Sequence, residues 1–195
     1  MHRILGAMLA LVAAASLSSM PASASATDPT RLIQSVAAQV AEIVKSRAQN
    51  EREAGMRQLL RHDFDLSYIA SSALGAHWND ASEAQKARIL AAFEATEAKS
   101  YADRLASFSS VTINGATAKS DGVWSVNTNL NLTGGQSMKV DWEVRQSGAE
   151  LRISDVKVSG VSLFTAQRAS FRSYVQMHNG EVEPLVQVLE ARAAR

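Results

Sequence analysis

The residues equipped for acid–base or nucleophilic chemistry in the body of this chain are His62, His77, His178 and Ser162. A hydrolytic serine needs a base with an orienting partner, and a nucleophile elbow also needs glycine two positions after the serine. Phe164 stands at that position, so Ser162 reads as a helix N-cap whose oxygen accepts a backbone N–H. His62-Asp63 and Asp65 offer metal-ligand types. Neighbouring positions at a helix end point apart, however, and no second histidine follows at helical ligand spacing. The pattern fits a solvated helix end followed by an Asp65 cap. Gly134-Gly135 precedes a strand and not a helix, which makes it a hairpin turn and not a phosphate cradle. No catalytic residue and no metal ligand is expected, and the chain is read as a non-enzyme.

What remains is apolar chemistry at regular spacing. Val140, Trp142 and Val144 alternate with Lys139, Asp141, Glu143 and Arg145, and Trp124, Val126, Leu130 and Leu132 alternate with Ser and Asn. Period two predicts strands with one buried face. Val111 and Ile113 open a shorter run before them, and Leu151, Ile153, Val156 and Val158 form a fourth. In that last run the apolar parity switches, which predicts a bulge near Ser154-Asp155. Asp121-Gly122, Gly134-Gly135 and Gly148 separate the strands, so an antiparallel meander is the economical topology.

Helices flank this block on both sides. Asp28-Pro29 begins one with Ile33, Val36, Val40 and Val44 on one face. A second covers Glu51 to Arg61, a third starts from Asp65 and stops before Gly75, and a loop carries His77 and Trp78. Ser82 and Gln85 have capping-box spacing ahead of a long helix reaching about Phe108. Its periodicity weakens near Lys99 to Tyr101, where a bend or break is expected. After the strands, Ser162 caps a helix that stops at Asn179-Gly180, and Pro184 starts the last one.

The N-terminus has the layout of a secretory leader: His2 and Arg3, an apolar run from Ile4 to about Leu17, Pro21, and Ala24-Ser25-Ala26. Residues 1–26 are read as a signal peptide, and 27–195 as one domain. The absence of cysteine excludes disulfides and a lipoprotein anchor. Cleavage removes one of the 20 basic side chains and none of the 19 acidic ones, leaving 19 of each. A neutral surface argues against a nucleic-acid partner, whose affinity would come from neutralising phosphates.

Two blocks of residues carry a resemblance. One is Phe64-Asp65 through Leu74-Gly75, Trp78, the Ser82–Gln85 cap, Phe93 and Tyr101. The other is Val140-Asp141-Trp142, Asp155, Gly160-Val161-Ser162-Leu163, Gln167-Arg168, Phe171 and Leu185 to Leu189. In this order, behind a leader, they resemble the MlaC (toluene-tolerance) family of periplasmic phospholipid carriers. Leu151 departs from the pattern, since many relatives place Trp there.

The resemblance implies an α+β fold. Its four-stranded antiparallel curved sheet would be covered by about six or seven helices, in a cone like that of nuclear transport factor 2 enclosing an apolar cavity. It implies a periplasmic shuttle carrying phospholipid between the outer and inner membranes, with no cofactor. The implied partners are an inner-membrane ABC transporter bearing an MCE-domain ring and an outer-membrane lipoprotein with porin. The pathway would maintain outer-membrane lipid asymmetry. A hopanoid-associated carrier and an envelope interaction module without lipid are the alternatives.

The expected lipid wall is Val140, Trp142, Val144, Leu130 and Leu132 from the strands, with Tyr101, Leu105, Val161, Leu163 and Phe164 from the helices. Asp155 and Arg168 are expected to be structural, as a pair or as partners of backbone groups, as are Ser162 and a hinge at Gly160. Headgroup bias is expected only from single charges such as Lys139 or Arg145.

Overall fold

The computed structural model describes residues 28–120 and 122–194. The leader expected over 1–26 and Asp121 of the first hairpin turn lie outside the described residues.

The chain begins with α1 (Pro29–Ile43), whose N-cap Asp28 accepts the backbone N–H of Thr30, and which buries Ile33, Val36 and Val40. Next come α2 (Gln49–Asp63), α3 (Leu66–Leu74) and a single turn, α4 (His77–Asp80), where a loop was expected. The Phe64-Asp65 step between α2 and α3 ties the helices to the sheet. Phe64 bridges Ile153 in parallel, Asp65 N–H donates to the Ile153 carbonyl at 2.9 Å, and the Asp65 carboxylate caps α3 at Tyr68.

The long helix α5 (Glu83–Arg104) is entered through a complete Ser82–Gln85 capping box and runs unbroken through Lys99-Tyr101. Its periodicity is weak because it is packed from several sides by α2, α3 and α7, not because it bends. Four successive residues, Ala92, Phe93, Glu94 and Ala95, are all buried, which a helix with a single covered face would not permit.

Strands β1 (Phe108–Ser120), β2 (Val123–Leu132), β3 (Ser137–Ser147), β4 (Glu150–Val158) and β5 (Val161–Ser162) form one antiparallel meander in chain order. The expectation of four strands is therefore corrected to five. Ser159 and Gly160 both adopt positive φ, 51° and 83°, as the two-residue turn of a tight hairpin requires. They fold Val161 back onto Val158, making a short edge strand where a hinge was expected. The bulge in β4 is present: Glu143 pairs Asp155 while Val144 pairs Ile153, leaving Ser154 as the extra residue.

Helices α6 (Leu163–Met177) and α7 (Glu183–Ala193) complete the fold. The described apolar side chains form two cores. One lies between the sheet and α1, α2 and the C-terminal half of α5. The other joins α3, α6 and α7 to the N-terminal half of α5. Gly75, at φ 61°, closes α3 in a backbone conformation that a residue with a side chain adopts only with strain.

Candidate functional site

The first core is incompletely filled. A pocket of about 340 Å³ opens within it, a size at the lower end of ordinary ligand sites. Strand pleating puts Leu130 and Leu132 of β2, Met138, Val140 and Trp142 of β3, and Val156 and Val158 of β4 on its floor. The switch of parity at the Ser154 bulge is what turns Val156 and Val158 inward beside Trp142 and Val140. The roof comes from Val36 and Val40 of α1, Met56 and Leu59 of α2 and Phe64 after it. Tyr101 and Arg104 of α5, Leu105, and Leu163 of α6 close the side.

Polar groups among these residues are few. The Trp142 indole N–H donates to Thr128 Oγ1 at 3.0 Å, and that hydroxyl donates to the Val140 carbonyl at 2.9 Å, so both are satisfied inside the floor. The Tyr101 hydroxyl oxygen is buried, with the Glu97 carboxyl as its hydrogen-bonding neighbour. Burial, reinforced by the neighbouring Glu97 carboxyl, pushes its pKa well above the usual phenol value and keeps it a proton donor. Arg104 supplies the pocket's one charge among the described residues.

Of the ten residues expected in the wall, Tyr101, Leu105, Leu130, Leu132, Val140, Trp142 and Leu163 line this pocket. Three do not. Val144 shares the parity of Val140 but is fully buried in solid core beside Ile153, beyond the pocket's end. Phe164 packs against Phe93, with ring centroids 6.1 Å apart, and faces other clefts. Val161 is 66% exposed, because the tight hairpin makes it an edge-strand residue of opposite parity to Ser162.

The contributions of Met56, Leu59 and Phe64 escaped sequence reasoning, since their helix shows no clean apolar stripe. Val36, Val40, Val156 and Val158 carried a signal in their spacing. It marked a buried face without saying which face meets the cavity.

Asp155 and Arg168 do not form an ion pair among the described residues. Asp155 Oδ1 accepts from Ser162 Oγ at 2.9 Å and from Val156 N–H at 2.8 Å, while Ser162 Oγ accepts from Thr165 N–H at 3.0 Å. The carboxylate thus anchors the N-cap of α6 to β4. Arg168 lies further along α6, exposed at the rim of a small cleft that also includes Glu143 and Asp155. Neither expected headgroup charge reaches the apolar pocket. Lys139 points outward from β3, and Arg145 stacks on the Tyr68 ring at 3.7 Å with Asp65 at 4.0 Å.

His62 Nδ1 lies 3.1 Å from Asp63 Oδ1, and Asp63 Oδ2 accepts from Gln39 at 2.9 Å. Among the described residues no three His, Asp or Glu side chains converge to hold a metal ion. No described helix is long and apolar enough to cross a membrane.

The fold has a solved counterpart. The phospholipid-binding protein from Ralstonia solanacearum, in complex with a phospholipid, superposes with a TM-score of 0.74 at 22% identity, covering 86% of this chain and 97% of that one. This overlap establishes a shared fold. Among curated proteins, none matches the chain. The MlaC protein family matches residues 33–191, from the second turn of α1 nearly to the end of α7, and so takes in both cores and the pocket between sheet and helices: the chain belongs to the MlaC family.

Proposed function

We propose that this protein is a periplasmic carrier that takes phospholipid tails into the pocket between sheet and helices, in a cone-shaped fold that encloses them. The observation that carries the reading is the pocket itself: an unfilled space of about 340 Å³ in the main core, walled by aliphatic and aromatic side chains from every layer of the fold. Membership of the MlaC family supports it, as does the shared fold with a protein described as phospholipid-binding.

The energetics suit a shuttle. Two acyl chains of about 15 methylenes each, at about 0.8 kcal/mol per buried CH₂, represent about 24 kcal/mol relative to water. A tail moving from bilayer to pocket exchanges hydrocarbon for hydrocarbon, so the net change is small while the aqueous barrier is large. Docking partners must lower that barrier. In this reading they are an inner-membrane ABC transporter with an MCE-domain ring and an outer-membrane lipoprotein with porin, and residues 1–26 direct export.

Native mass spectrometry of protein purified from a periplasmic extract tests the proposal. A phospholipid adduct is expected, together with transfer of labelled phospholipid between vesicles. A protein that stays at its bare mass and takes up no lipid from vesicles of phosphatidylglycerol and phosphatidylethanolamine would overturn it.

A further inference from the structure

Beside the apolar pocket, between α1 and β1, lies a recess of about 20 Å³. Ile33 and Ala37 of α1 and Phe108 and Val111 of β1 line its far side, all of them apolar, so the recess is dry. Its near side is Val36, Val40, Leu105, Leu130 and Trp142. The same five residues line the pocket, so a single wall divides the two spaces. Four of them are aliphatic. The fifth is an indole that leans diagonally from β3 onto β2: Trp142 pairs with Val126, yet its Nε1–H donates to Thr128 Oγ1 at 3.0 Å, two residues further along. Thr128 is buried, and its own O–H is committed to the Val140 carbonyl at 2.9 Å, which fixes the lone pair that the indole uses. One hydrogen bond thus sets where the ring lies.

We propose that Trp142, pinned by Thr128, sets the length of acyl tail that this protein accepts, by closing the recess to the tail ends. The inference rests on the lipid-carrier reading and narrows its cargo by tail length. The indole is the bulkiest side chain in the dividing wall, so removing it joins the recess to the pocket beneath α1. Val144 fills the core solidly beyond the pocket's end, so a longer tail gains room at the Trp142 wall and not there. A methylene that finds no apolar space stays in water, which disfavours binding by about fourfold for each one. A tail stopped by a fixed ring is therefore discriminated steeply by length. Thr128 is the positioning residue: without its hydroxyl the indole N–H has no acceptor in the floor, and the ring turns away to find one.

The test is competitive loading of delipidated protein from detergent with dimyristoyl and diarachidoyl phosphatidylglycerol, quantified by mass spectrometry. The head group is common to both, so the ratio reads the tails alone, and it does not depend on the fraction of protein that is folded. The wild type is expected to favour the shorter lipid, by about fourfold for each methylene left in water. W142L and T128V should bring the ratio toward one. T128S, which keeps the hydroxyl, should retain the wild-type ratio. Adding A37F to W142L fills the recess from α1 and should restore the preference for short tails.

Equal loading of the two lipids by the wild type, or a wild-type ratio in both W142L and T128V, would overturn the role of Trp142 and leave the carrier reading standing. A ratio near one that A37F does not shift would place the extra room elsewhere and overturn it as well. If W142L fails to fold, T128V against T128S decides the matter, because only loss of the pin separates them from the wild type in opposite ways. Failure of every form to load either lipid would overturn both readings.

Discussion

Thr128 shows how one residue controls the pocket floor. It is 1% exposed, the one polar residue on a strand face otherwise made of Val126 and Leu130, and its hydroxyl serves two partners at once. Replacing it with the isosteric valine keeps the volume and strands the Trp142 indole N–H and one lone pair of the Val140 carbonyl. A buried donor left unpaired costs about 1–3 kcal/mol. T128V is therefore expected to lower the unfolding free energy by that amount, seen as a lower urea midpoint with an unchanged m value. A shift within error would mean that Trp142 finds another acceptor. Asp155 is a second such residue. It holds the start of α6 on β4 through the Ser162 hydroxyl seven residues away, and it also accepts the Val156 backbone N–H, while Arg168 is not its partner among the described residues.

Between elements, the most concentrated polar contact is the clamp of α5 on α7. Arg88 binds Glu190 through Nε and Nη2, both at 2.7 Å, and Glu183 through Nη1 at 2.9 Å, with Gln85 adding 3.0 Å to Glu183. Hydrogen bonds from Gln85 and Arg88 lower the pKa of Glu183, and those from Arg88 lower that of Glu190. Groups whose folded pKa lies below the unfolded value stabilise the fold above the unfolded value, and that stabilisation disappears as pH falls through the folded one. R88A should thus melt lower than the wild type at pH 7, by up to about 4 °C for a solvent-exposed network. The difference should narrow as pH falls below about 4.3 and shrink in high salt. A gap that is constant from pH 7 to pH 3 would mean that Arg88 acts through packing of its stem instead of its charge.

For the molecule as a whole, the pocket is the part of the core that folding left unfilled, and it can be filled by substitution. Leu132 lies at the end of β2, half-buried and against open space, so a larger side chain has room there that a close-packed site would refuse. L132W is expected to reduce bound lipid several-fold, measured per protein after periplasmic purification, while the melting curve of the lipid-free form stays close to wild type. V140D should do the same by placing a carboxylate in the apolar floor, at a greater loss of stability because Val140 is 2% exposed. Wild-type lipid content in a folded L132W protein would place the tails elsewhere.

Much of this was legible in the chain itself, because local physics governs it. The caps at Asp28, Asp65, Ser82 and Ser162, the change of period from helix to strand and the parity switch at Ser154 each depend on neighbours a few residues away, and each is present in the fold. The tertiary structure decided the rest. Continuity of α5 depends on three helices that surround it, the fifth strand on a tight turn bringing Val161 back to Val158, and the exclusion of Val144 and Phe164 from the pocket on where the core closes. Arg104 and Arg192, far apart in sequence, line one cleft. Periodicity tells which side of an element is buried, because it is a property of that element alone. What the buried side meets, packed neighbour or open cavity, depends on the shapes of all the elements together, and no spacing along the chain encodes it.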